Sequence, residues 1–81
     1  MDCVVSGLLM CVKEGKFTKK NGDVTRQVEL DLYNGGSIQR ITGPIDMLSI
    51  FKVDATKEIT FPIRVTEFKG ASGTIVFKSL I

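Results

Sequence analysis

The chain predicts an all-β fold, a small barrel of five antiparallel strands, and three observations carry that expectation. The clearest hydrophobic period is two rather than 3.6. Turn residues punctuate the chain at Asn21-Gly22-Asp23, Asn34-Gly35 and Gly70-Ala71-Ser72-Gly73. The length of 81 residues leaves room for one core, because a chain this short buries only about 60–65% of the surface it exposes when unfolded. Residues 1–81 are therefore read as a single domain.

Residues 3–12 form an apolar run that reads as a long first strand, with Gly7 marking a bend or bulge. Residues 14–23 read as a long exposed loop with Asn21-Gly22-Asp23 at its tip. Val24, Val28, Leu30 and Leu32 then alternate with Thr25, Gln27, Glu29, Asp31 and Tyr33, and Arg26 is the one break. That is a half-buried second strand with a wet face. Asn34-Gly35 follows as a hairpin signal, since both residues tolerate the positive φ of a type I′ turn. Residues 37–42 give a short polar-apolar third strand. The period is lost between Gly43 and Lys57, where Pro44 opens a helical turn that packs Met47, Leu48 and Phe51 inward. Ile59, Phe61, Ile63 and Val65 alternate with Thr60, Pro62, Arg64 and Thr66 as the fourth strand. Pro62 has no N–H to donate, so this strand is expected at an edge or locally broken. Residues 74–81 are apolar on both parities and close the set. Strands read this generously take more than half the chain, a high share, so some ends are expected to be shorter.

The order is strand, long loop, strand, tight turn, strand, irregular connector, strand, hairpin, strand, which matches an OB barrel. An SH3-like barrel also has five strands, but its longest connectors fall elsewhere. The gap after the third strand favours OB.

Composition narrows the function. With 43% hydrophobic and 25% charged residues and two prolines, the chain is neither a disordered tail nor a collagen-like repeat. It contains no histidine, which removes imidazole acid–base chemistry, Ser–His and Cys–His nucleophiles and the usual zinc sites. Asp and Glu are scattered without metal-ligand spacing, and no Gly-rich phosphate loop occurs. No catalytic residue, metal or cofactor is expected. Cys3 and Cys11 lie roughly 26 Å apart if both sit in one strand at about 3.3 Å per residue, too far for a disulfide. Buried, reduced thiols are expected, as suits a cytoplasmic protein. The apolar run after Asp2 has neither a basic leader nor a small-residue cleavage site, and it is shorter than the roughly 20 residues that span a bilayer.

The net charge of +2 is too small to identify a partner, so local clustering has to carry the case. Lys16, Phe17, Lys19 and Lys20 fall within five positions of the first long loop. An exposed aromatic flanked by cations suits single-stranded nucleic acid: the ring stacks a base while ammonium groups neutralise phosphates. The bland alternative folds Phe17 onto the barrel and leaves the lysines as solubilising charges. Phe68 and Lys69 sit at the mouth of the last hairpin, which in an OB barrel faces the first loop across the ligand surface. Phe68 fits equally as a core cap. Tyr33 lies on the polar parity of the second strand and either stacks a base or covers the strand end. Arg26, Arg40 and Arg64 serve as phosphate contacts or as ion-pair partners of Glu29, Asp31 and Glu67.

The stretch from Gly15 onward resembles the gene V type single-stranded DNA-binding proteins of filamentous phage. The likeness is diffuse and rests on Gly15-Lys16-Phe17-Thr18-Lys19-Lys20, on Asp31-Leu32, and on Thr66-Glu67-Phe68-Lys69-Gly70 through Gly73-Thr74-Ile75. It implies an OB-fold homodimer that coats single-stranded DNA cooperatively, without cofactor and with little sequence preference. It implies phosphate contacts at Lys16, Lys19, Lys20 and Arg26, stacking by Phe17 and Tyr33, and a mobile loop holding Phe68 and Lys69. This chain has a single tyrosine, whereas the family's binding face is richer in them. The reading that follows is a protein of phage or plasmid replication in a bacterial host cell, with RNA as the other single strand it would take. Four neutralised phosphates would give a log–log salt slope of about −3. The competing reading is a small barrel that docks a replication or assembly partner through its apolar final strand.

Overall fold

The computed structural model describes residues 1–70 and 72–81. Five strands run β1 (Asp2–Thr18), β2 (Val24–Asn34), β3 (Ser37–Pro44), β4 (Asp54–Lys69) and β5 (Thr74–Leu80), with a 3-10 helix at Ile45–Ser49 between β3 and β4. They close into a barrel in the order β1-β2-β3-β5-β4, with β4 returning to β1. This is an OB-like arrangement. It corrects one expectation, because the barrel is mixed rather than purely antiparallel. β3 and β5 run parallel, paired at Ile41–Ile75 and Thr42–Val76. The reason is arithmetic: five strands in a closed ring cannot alternate direction all the way round, so one seam must be parallel.

The interior is filled from every strand. Val28, Leu30 and Leu32 of β2, Ile41 of β3 and Ile63 of β4 have no solvent exposure, and Leu9 and Phe77 have almost none. The alternation seen in β2 and β4 is therefore the barrel's inside–outside alternation. Met47, Leu48 and Phe51 pack against this core as expected, with the Phe51 and Phe61 rings 5.1 Å apart between centroids.

β1 is the element that makes closure possible. Its first part pairs with β4, from Asp2–Arg64 to Gly7–Ile59 and, after a register shift, at Leu9–Asp54, and its later part pairs with β2, from Leu8–Tyr33 to Thr18–Val24. The change of partner occurs at the expected bend. Gly7 has φ +151°, and a Cβ there would lie 2.7 Å from the Tyr33 carbonyl oxygen. A register shift between Leu9 and Cys11 leaves Met10 as an extra residue.

Several strand ends are longer than expected, not shorter. β1 continues to Thr18, so Lys16 and Phe17 stand in a ladder opposite Arg26 and Thr25 rather than in a loop. Only residues 19–23 turn. There Lys19 N–H donates to Asp23 O (2.7 Å) and Asp23 N–H to Asn21 Oδ1 (3.1 Å), while Gly22 takes φ +92°. The next hairpin is displaced by one residue from the sequence reading. Asn34 pairs with Ser37, and Gly35 and Gly36, at φ +61° and +88°, are the two central residues. Pro62 is not at an edge, since β4 has neighbours on both sides. Its carbonyl accepts from Ile81 N–H (3.1 Å), so the missing N–H faces the end of β5, where the ladder has run out. Cys3 and Cys11 are free and half-buried rather than buried. Ala71, within the last hairpin signal, lies outside the described residues.

Gly43 leaves no room for a side chain: an added Cβ would lie 2.3 Å from the ring of buried Phe77. Gly43→Ala is expected to lower unfolding stability by about 1–3 kcal/mol in urea titrations. Gly70→Ala, facing open space, should stay within about 0.5 kcal/mol.

Candidate functional site

Inward Val28, Leu30 and Leu32 leave Thr25, Gln27, Glu29, Asp31 and Tyr33 pointing out from β2. Their register partners complete an outward face across three strands. Leu8, Tyr33 and Ile38 form one row, and Cys11, Asp31 and Arg40 the next. Lys13, Glu29 and Thr42 follow, Thr42 itself buried, then Gly15, Gln27 and Pro44, and last Phe17 and Thr25. Phe17 and Tyr33 thus stand on the same face at its two ends, 45% and 41% exposed. Thr25 and Tyr33 are eight residues apart, roughly 26 Å at about 3.3 Å per residue.

Paired charges fill the middle of this face. Arg40 Nε donates to Asp31 Oδ1 (3.0 Å), and Lys13 Nζ lies 3.8 Å from Glu29 Oε1. The hydrogen bond to Asp31 raises the Arg40 pKa further above its usual value. Ile38, beside Tyr33 and 55% exposed, was missed in the sequence. Once Asn34 is set opposite Ser37, the antiparallel register requires Ile38 to sit opposite Tyr33.

The other candidates are placed as follows. Lys16 and Arg26 share the opposite side of the β1–β2 hairpin with Glu14, because they fall on the inward parity beyond the barrel's end. Arg26 Nη2 is hydrogen-bonded to Glu14 Oε1, not to Glu29 as expected. The parity break at Arg26 thus has a structural cause: its position lies past the core. Arg26, Ile45, Asp46, Leu48 and Ser49 line an open groove of about 500 Å³ between this side of the hairpin and the 3-10 helix. Lys19 and Lys20 occupy the hairpin tip, exposed and without an acidic partner among the described residues.

Phe68 and Lys69 end β4 opposite Ile75 and Thr74. Phe68 is 59% exposed, so it does not cap the core. The hairpin they begin lies alongside the start of β3, where Gln39 Nε2 donates to Gly73 O (2.6 Å). The start of β3, at the Tyr33 end of the outward face, thus adjoins the β4–β5 hairpin. Arg64 is not part of the outward face. Its Nε donates to Asp2 Oδ1 (3.2 Å) rather than to Glu67. Asp2 and Leu8 are six residues apart on β1, about 20 Å, on the side paired with β4. The apolar parity of β5 is likewise accounted for: Ile75 and Phe77 point into the core, and β5 has a strand on each side. Charged substitutions there would unfold the barrel rather than probe an interface.

Set against models of known protein families and against curated proteins, the chain matches none. No helix among the described residues is long and apolar enough to cross a membrane.

The hydrogen bond from Arg26 holds the Glu14 carboxyl below its usual range, and the attraction of Arg26 and Lys16 adds to this. A lowered folded pKa means the pair's contribution is present above the ordinary glutamate range and is lost as pH falls through Glu14's own value. In an NMR titration the Glu14 carboxyl should titrate below the ordinary glutamate range. Arg26→Met should return it to the ordinary range.

Proposed function

We propose that the protein binds single-stranded DNA along the outward face of β1, β2 and β3, coating it with little sequence preference during phage or plasmid DNA replication. The observation that carries this reading is the pair of exposed aromatics, Phe17 and Tyr33, on one face beside a hairpin tip bearing Lys19 and Lys20. Both rings are open enough on this face to stack, and every base offers such a ring a π-face. Ile38 extends the Tyr33 platform with an apolar contact for a sugar or base edge. Lys69 supplies a further cation from the second hairpin. The mechanism is electrostatic capture by the lysines followed by stacking. The OB-like barrel and the resemblance to phage single-strand binders support the same reading, including a homodimeric state. Free thiols at Cys3 and Cys11 suit a reducing cytoplasm.

The ion pairs of the three arginines change the expected salt response. Arg26, Arg40 and Arg64 each already face a carboxylate and Lys16 projects from the other side of the hairpin, so Lys19, Lys20 and Lys69 are left as the phosphate contacts. Three neutralised phosphates give a log–log slope of about −2 rather than −3. Fluorescence anisotropy of labelled oligo-dT, oligo-U and the matching duplex at several salt concentrations checks this. The expected result is single-strand binding in preference to duplex with that slope. A folded protein that binds no single strand at low salt would overturn the proposal and favour a protein-docking role.

Phe17→Ala is expected to weaken oligo-dT binding by about 1–3 kcal/mol with the fold intact by circular dichroism. Full affinity in that variant would remove Phe17 from the stacking site.

A further inference from the structure

Beyond Leu9, β1 pairs only with β2. Residues 12–18 therefore present an open strand edge, and no backbone group there bonds elsewhere among the described residues. Such an edge is a template for another strand. The sequence along it, Val12-Lys13-Glu14-Gly15-Lys16-Phe17-Thr18, is complementary to itself when reversed about Gly15.

We propose that this edge pairs antiparallel with the same edge of a second copy, across a two-fold axis at Gly15. The proposal deepens the homodimeric state included in the function proposed above by naming the surface that forms it. In this register Glu14 faces Lys16 of the other copy, twice by symmetry, on the inward parity. Lys13 faces Phe17 on the outward parity, a cation against a ring face, and Val12 faces Thr18. Neighbouring two-fold registers fail on charge. Centring on Glu14 sets Glu14 against itself, and centring on Lys16 sets Lys16 against itself. Like charges directly opposite each other destabilise a sheet.

The backbone is prepared for the Gly15 register. Lys19 donates to Asp23 across the β1–β2 ladder, and counting back in alternation turns the Lys16 and Glu14 backbone groups toward the open edge. They bond reciprocally to the second copy. At the centre, Gly15 carries no side chain, and each copy's own Glu29 carboxylate lies over it. Lys13, 3.8 Å from Glu29, brings a counter-ion to each of those two carboxylates. The consequence is a six-stranded sheet whose outward faces join, so that Phe17 and Tyr33 of both copies share one surface.

Sedimentation velocity without nucleic acid tests this. Wild type should sediment as a dimer that weakens as salt rises, because the facing charges are exposed. Lys16→Glu alone and Glu14→Lys alone each set like charges opposite one another and should raise the dimer dissociation constant by about tenfold or more. An equimolar mixture of the two variants restores both opposite-charge pairs and should recover the dimer. Circular dichroism of each variant excludes unfolding, and mixing cannot repair a folding defect. A monomeric wild type at the highest soluble concentration overturns both the interface and the homodimeric state. A dimer that either variant leaves intact, or that the mixture fails to restore, overturns the interface while leaving the homodimeric state and the DNA-binding reading standing.

Discussion

The division of β1 between two neighbours is the constraint on which the rest depends. A single strand of 17 residues must complete the barrel with β4 and then hand its ladder to β2. It can do so only where the backbone passes close to Tyr33 at a residue without a side chain. A Cβ at Gly7 would collide with that carbonyl, and β1 would lose one of its two partners. Barrel closure, the projection of the β1–β2 hairpin and the open edge beyond Leu9 all follow from this one crossing. The molecule's length along its longest axis, 41 Å against 24 Å in the other two directions, agrees with a barrel from which one hairpin extends.

Beyond the barrel's end the same two strands change purpose. Inward parity there no longer meets a core, and its positions are occupied by Glu14, Lys16 and Arg26 in place of leucine and valine. The outward face runs uninterrupted from the barrel onto the hairpin. Hydrophobic burial thus governs one half of each strand, and electrostatics with backbone pairing governs the other.

Much of the fold was legible because one-sided burial writes itself as alternation. Val28, Leu30 and Leu32, and Ile63 and Val65, announce their strands through that pattern. Lys16 and Phe17 were misread as loop for the complementary reason: a strand pair with neither face buried carries no apolar period. The partners of the arginines were hidden as well. Which carboxylate meets Arg26 depends on the register of the β1–β2 hairpin, and which meets Arg64 on the pairing of strands far apart in the chain; Glu14 and Asp2 hold no local signal of either. Ile38 was recoverable in principle, since a two-residue Gly-Gly turn fixes its position opposite Tyr33. The parallel seam could have been deduced from the count of strands alone.

That seam bears on how the barrel breathes. Four of its five closures are long antiparallel ladders, while β3 and β5 meet at only two paired positions. Local opening runs through the least-bonded boundary, so amides of β5 facing β3 should exchange with solvent earlier than those facing β4. Loop-closure entropy favours early formation of the β1–β2 and β2–β3 hairpins, whereas joining β5 to β3 closes a loop of more than thirty residues and joining β4 to β1 a longer one. The barrel behaves as a sheet in the order β3-β2-β1-β4-β5, rolled up and held by one short clasp, with the buried Ile75 and Phe77 behind that clasp.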